Sequence, residues 1–257
     1  MTEQQGRSGP AHANPIQAPG TDERLWQAWD GWERLPECRL PRTGRVVVVA
    51  AHPDDEVLAA GGTIALLAGA GVGLTLVSVT DGERSHPHST VHTPREMAGI
   101  RAAEVKDALA ELGASAAEVV RLHVPDTETP FHEDEIAKKL AGPLSGAALC
   151  LTPWIGDVHG DHEAVGRATL AAARAADVPV LMYPVWMWHW ARPDDPALPW
   201  TSAQRVTLTP DAVARKRAAV ERFASQIRPL GPGPGDAPVL PPDEIAHHLR
   251  HVEVVFG

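Results

Sequence analysis

Apolar runs and stretches of helical spacing alternate along most of this chain. Residues 46–50 read Val-Val-Val-Val-Ala, a β-branched run with no polar alternation. Such a run marks a strand buried on both faces, as in a parallel sheet. Helical periodicity follows over residues 56–70, then a strand over 74–80 that turns out through Asp81-Gly82. A long amphipathic helix over 95–112 ends at Gly113. The pattern continues as strand 119–124, helix 133–144, strand 147–151, an Ala-rich helix over 160–176 and strand 178–183. This β-α-β-α order predicts a single domain of α/β class, with a mostly parallel sheet covered on both faces. Gly61-Gly62 falls inside a helix, where glycine costs stability, and so signals close approach to a neighbouring backbone.

The ends are less regular. Residues 1–20 are polar and rich in Gly, Pro and Gln, and read as a disordered leader to a domain spanning 21–257. Residues 21–35 look helical, with Trp26, Trp29 and Trp32 forming a stripe that would dock the helix on the domain. Trp186-Met-Trp-His-Trp190 lies just past the fifth strand and suits either core packing or the wall of a sugar pocket. Residues 209–225 read as a helix capped by Thr209 with Pro210 in its first position. Residues 230–242 form a Pro/Gly-rich loop, and 243–257 hold a short helix and a final apolar stretch. There is no internal repeat.

Composition narrows the classes. The chain has 257 residues, 44% of them hydrophobic, and a net charge of -10 at pH 7. With no basic run, this argues against nucleic acid or an anionic membrane as partner. The two cysteines, Cys38 and Cys150, give no disulfide framework and fit a reducing cytoplasm. The N-terminus lacks the apolar core of a signal peptide, and no segment approaches a membrane span.

Candidate chemistry lies in two clusters. The first strand stops at His52-Pro-Asp-Asp-Glu56, which puts one imidazole and three carboxylates at the sheet's carboxyl edge, where α/β proteins place their sites. Crowding these groups is costly unless a cation offsets the charge, and His with carboxylates suits a divalent metal such as zinc. The fourth strand leads into a second cluster, Gly156-Asp-Val-His-Gly-Asp-His-Glu163. Capping of the following helix is the competing explanation of the first cluster, but a cap needs one acceptor, not four ionisable side chains.

At His52-Pro-Asp-Asp-Glu56 and His159-Gly-Asp-His162 the chain resembles the PIG-L/LmbE family of zinc-dependent N-acetyl-sugar deacetylases. Thr80-Asp-Gly-Glu83 and the helix from Arg101-Ala-Ala-Glu104 to Leu112-Gly113 extend the likeness over residues 44–230. The resemblance implies a Rossmann-like three-layer sandwich. It also implies one zinc ion per chain held by His52, Asp55 and His162, with Asp54 as general base toward a zinc-bound water. His159 becomes the partner of the developing oxyanion and Asp161 its acidic companion. Asp126 matches a residue that contacts substrate hydroxyls. Some relatives carry Tyr two residues before the first histidine of the second cluster, where this chain has Asp157.

The remaining residues are less specific. Arg84 and Arg95 suit sugar hydroxyls or a phosphate, or equally a solvated surface. His86, His88 and His92 share one loop, where solvated histidines are commoner than a second metal site. The expected function is hydrolysis of the acetamide of an N-acetylated sugar or glycoconjugate, a small-molecule substrate, with homo-oligomerisation left open. The alternatives are a zinc amidase acting on a sugar-linked thiol conjugate, and a non-hydrolytic nucleotide-binding module, which would lack its Gly-rich phosphate loop.

Overall fold

The computed structural model describes residues 15–257, so residues 1–14 of the leader expected over 1–20 lie outside the described residues. Pro15–Gln17 forms a 3-10 turn, and the Ala18 carbonyl lies 2.9 Å from His189 Nε2. The strands among the described residues are β1 (Arg45–Ala50), β2 (Gly73–Ser78), β3 (Glu118–Arg121), β4 (Leu149–Pro153), β5 (Val180–Tyr183), β6 (Ala203–Thr207) and β7 (Val252–Phe256). Around them lie α1 (Glu23–Gln27), α2 (Asp55–Gly69), α3 (Pro94–Glu111), α4 (Glu133–Leu144), α5 (Gly160–Ala176), α6 (Met187–Trp190), α7 (Pro210–Val220), α8 (Ala224–Ile227) and α9 (Pro242–Ala246).

One seven-stranded sheet runs in the order β3-β2-β1-β4-β5-β7-β6. The first five strands are parallel, with Val46 opposite both Leu74 and Leu149. Strand β1 explains its own composition: Val46, Val48 and Ala50 enter one core, while Val47, Val49 and Ala51 enter the other. Helices α2, α3 and α7 cover the first face, where Leu58, Ile64, Leu109 and Phe223 are buried. Helices α4 and α5 cover the second with Ile136, Leu140, Val165 and Ala172. The result is the expected single α/β sandwich with a mostly parallel sheet.

Two features depart from the expectation. Strands β6 and β7 extend the sheet antiparallel to their neighbours. Residues 252–256 were visible only as an apolar stretch, because a charge, Glu253, interrupts them. That carboxylate is buried and satisfied: it accepts from Gly62 N (2.7 Å), Thr63 N (2.8 Å), Thr63 Oγ1 (2.6 Å) and Lys216 Nζ (2.7 Å), so β7 is pinned to α2 and α7. Secondly, the 21–35 helix divides into α1 and a 3-10 segment, Asp30–Arg34. Trp29 is extended (φ -71°, ψ 124°) and its indole folds so closely over Gly31 that a Cβ there would lie 1.9 Å from the ring. The tryptophan stripe does dock: Trp26, Trp29 and Trp32 are buried with Trp188, and the Arg250 guanidinium stands 4.5 Å from the Trp188 ring centroid. The close approach at Gly62 is to a side chain rather than to backbone, since a Cβ would meet Leu208 Cδ1 at 2.3 Å.

Candidate active site

The loops leaving β1, β4 and β5 meet at the carboxyl edge of the sheet. After β1 the chain turns through Pro53 and Asp54, whose φ of 138° is unusual for a side-chain-bearing residue. The turn puts Asp55 in the first turn of α2, and its Oδ2 accepts the His52 backbone N–H at 2.8 Å. After β4, His159 occupies the N-cap of α5, and Asp161 and His162 fall in its first turn.

Both clusters converge. His52 Nδ1 lies 3.3 Å from His162 Nε2 and 3.5 Å from Asp55 Oδ2, and His162 Nε2 lies 3.3 Å from Asp55 Oδ1. Ligands about 2.0–2.1 Å from a tetrahedral zinc ion stand about 3.3–3.4 Å apart, so the donor set fits such an ion. A second grouping, His52 with His159 and Asp161, also has its donor atoms within 4.8 Å. Asp161, however, is already engaged by Thr127 N (3.1 Å), Thr129 N (3.2 Å) and Thr129 Oγ1 (2.7 Å).

The electrostatics call for positive charge. Burial opposes protonation of His52, but hydrogen bonds with Asp126, Asp161 and Asp55 outweigh it and hold its pKa well above the usual value. His162 likewise rises to about 9, burial being overcome by Asp55 and Asp157. Burial favours protonation of Asp55, yet the two imidazoles hold its pKa well below the carboxylate range.

Asp54 is buried, and its Oδ2 pairs with Arg101 Nη2 at 2.9 Å. Burial pushes its pKa up to about 7, against the opposing pull of Arg101. His159 stacks on His162 (4.4 Å between centroids) and has a buried Nδ1 with no hydrogen-bond partner. Burial and then the charges of His162 and His52 lower its pKa to about 3, which leaves it a neutral imidazole.

A cavity of about 210 Å³ opens over these groups, walled by Arg84, Arg101, Asp126, Trp186, Gln226 and Leu240 among others. Of the residues named from the sequence, His52, Asp54, Asp55, His159, His162, Asp126 and Arg84 all line it. Asp161 stands beneath, with Oδ2 3.0 Å from His52 Nε2, and so supports His52 rather than His159. Asp126 Oδ1 is 3.2 Å from the same nitrogen, and its Oδ2 accepts the Arg84 backbone N–H at 2.9 Å. Arg95 is not among the lining residues: it stands exposed in the first turn of α3 and does not line this cavity. His86, His88 and His92 enter no metal-competent grouping among the described residues. The aromatic segment is divided: Trp186 lines the cavity, Trp188 joins the tryptophan core and Trp190 stacks against Trp154.

Sequence reasoning missed three residues. Arg101 donates to the Pro53 and Gly82 carbonyls and faces Asp54. Its signal was available, since it falls on the buried stripe of α3 with Met97, Val105 and Ala108. Asp157, noted only as a missing tyrosine, accepts from His162 Nδ1 at 2.7 Å. Gln226 reaches the wall from α8, and no pattern pointed to it.

Fold and site together define an α/β sandwich with a metal-competent His/Asp centre at the carboxyl edge of its parallel strands. Residues 47–173, just under half of the chain, match the PIG-L family, described as GlcNAc-PI de-N-acetylase. It is 36% identical over 132 residues to a probable N-acetyl-α-D-glucosaminyl L-malate deacetylase 2 of Bacillus cereus, covering 49% of this chain and 60% of that protein. It is 29% identical over 139 residues to the diacetylchitobiose deacetylase of Thermococcus kodakarensis, covering 52% and 51%. These matches therefore span only about half to three-fifths of either relative's length. The fold is also that of N,N'-diacetylchitobiose deacetylase from Pyrococcus horikoshii, with TM-score 0.56 and 22% identity over 80% of this chain and 76% of that one.

Proposed function

We propose that this protein is a metal-dependent amide hydrolase that removes the acetyl group from an N-acetylated amino sugar or its glycoconjugate. The observation that carries the reading is the triangle of His52, Asp55 and His162, whose donor atoms approach to 3.3–3.5 Å with Asp55 presenting Oδ2 to His52 and Oδ1 to His162, at the floor of a cavity that Asp54 and His159 also line. We assign one zinc ion per chain to that triangle. When bound, the ion supplies a Lewis acid for the acetamide carbonyl and a water whose pKa is lowered to about 7.

The chain's own residues supply the rest. Asp54 takes the proton of the attacking water and carries it to the departing amine, which leaves as the free amino sugar. Arg101 holds that carboxylate in place from behind. His159, a neutral imidazole, donates from its single N–H to the carbonyl oxygen as negative charge develops there. Asp161 fixes the ring of His52 through Nε2. Asp126 and the exposed guanidinium of Arg84 are placed to meet sugar hydroxyls at the mouth. The sugar deacetylases among its relatives favour this substrate class.

Nucleotide binding has less support, because the loop after β1 carries His52, Asp54 and Asp55 where a phosphate cradle would need glycines. Among the described residues no helix is long and apolar enough to cross a membrane. Cys38 and Cys150 are both free, in keeping with a cytoplasmic location. The test is a panel of N-acetylglucosamine, diacetylchitobiose, N-acetylglucosaminyl malate and N-acetylglucosaminyl inositol, scored for acetate and for new primary amine in equal amounts. Zinc-loaded protein that releases neither from any of them refutes the reading.

A further inference from the structure

Asp157 is fully buried in the loop between β4 and α5, and among the described residues it forms no ion pair with a lysine or arginine. Its charge is held instead by N–H groups. Oδ2 accepts from His162 Nδ1 (2.7 Å) and Trp186 N (2.9 Å), while Oδ1 accepts from Val185 N (3.1 Å) and Met187 N (2.8 Å). Its backbone carbonyl also accepts from Trp190 Nε1 at 3.3 Å. One end of this arrangement is a candidate metal ligand and the other is the backbone of a cavity wall, since Val185 and Trp186 both line the cavity.

From this geometry we infer that Asp157 is a positioning residue that sets two things at once: the orientation of the His162 imidazole and the place of the Trp186 wall. The inference rests on the reading of the site as a metal-dependent sugar deacetylase. With its Nδ1–H donated to Asp157, His162 presents Nε2 toward His52 Nδ1 and Asp55 Oδ1, each 3.3 Å away, and that nitrogen would exchange its proton for the metal. The same carboxylate gathers three successive N–H groups and so fixes where the Trp186 indole stands against a bound sugar ring. Metal affinity and sugar affinity are therefore coupled through one side chain that touches neither metal nor sugar.

The experiment compares Asp157→Asn with Trp186→Ala in the full chain. Zinc affinity is read by competition with a chelator of known affinity, and KM is read with zinc in excess. The expected result for D157N is zinc binding weakened about 10–100-fold, the range for ligand-orienting partners, with KM still raised at least about fivefold once zinc saturates. W186A should raise KM and leave zinc affinity unchanged. Wild-type zinc affinity in D157N overturns the proposal, as does a KM that returns to the wild-type value when zinc saturates. If D157N does not fold, hydrogen exchange on the unmodified chain decides: zinc should slow the amides of residues 185–187 at least about fivefold, and unchanged exchange overturns the proposal. If no N-acetyl sugar is turned over, the functional reading fails separately, while the zinc-affinity and exchange measurements still decide this one.

Discussion

Asp54→Asn is the sharpest perturbation of the proposed chemistry. Asn keeps the size of the side chain and an oxygen for Arg101, and it tolerates positive φ better than most residues. The partner left behind is not stranded, because Arg101 also donates to the Gly82 and Pro53 carbonyls. The stability cost should therefore resemble loss of one charged hydrogen-bond partner, about 1–3 kcal/mol, rather than the larger cost of an orphaned buried ion. In a chain this long that lowers Tm by about 2–4 °C per kcal/mol, so the variant remains folded at 25 °C. Catalytically, Asn cannot take a proton. Removal of a general base costs about 10²–10⁴ in kcat, which is about 2.7–5.5 kcal/mol of barrier. The assay follows freed amine on the best substrate, with metal content measured on the same sample. The expected outcome is metal near one per chain with turnover reduced by at least about a hundredfold. Turnover within about tenfold of wild type places the base elsewhere, and loss of metal in parallel with activity makes Asp54 a ligand.

Chelation should silence the enzyme and zinc should restore it, while His162→Ala should fail to retain metal at all; stoichiometric zinc in that variant removes it from the ligand set. Zinc at about a hundred times its dissociation constant should stabilise the wild type by about 2.7 kcal/mol, read as a rise in Tm. Gly62→Ala should destabilise despite the better helix propensity of Ala, worth about 1 kcal/mol. The new Cβ would meet Leu208 Cδ1 at 2.3 Å, and overpacking costs about 1–3 kcal/mol. Chemical denaturation of G62A, and of G62A with Leu208→Ala, reads the sign and the rescue. The Glu23 carboxylate is held below its ordinary 4.5, because hydrogen bonds from His247 and Arg250 overcome the opposing effect of burial. Its contribution to stability is present above about pH 4.5 and is lost as pH falls through the lower folded value. Glu23→Gln should flatten that acid limb, and an unchanged pH dependence refutes the assignment.

Much of the scaffold was legible because its periodicity is local. The helix over residues 160–176 was read with the bounds that the structure has, and helix 133–144 likewise. Strand β1 announced its double burial through four consecutive valines, and the two His/Asp motifs marked the floor of the site. What escaped was set by partners distant in the chain. Trp29 bends out of a helix because its ring settles over Gly31 within a tryptophan core completed by Trp188 and Trp200. Glu253 hid β7, because a carboxylate in a strand looks exposed until Gly62, Thr63 and Lys216 close around it.

The same division holds at the site. The amino-acid order by itself determined which groups stand at the ends of β1 and β4, since a buried run followed by crowded ionisable side chains admits few placements. Only the tertiary structure decided which partner each group takes. Asp161 serves His52 rather than its neighbour His159, Arg101 crosses from α3 to Asp54, and Asp157 joins His162 to the backbone of residues 185–187. Spacing along a chain constrains neighbours within a turn or two, whereas a carboxylate withdrawn from water bonds whichever N–H groups the packing brings to it.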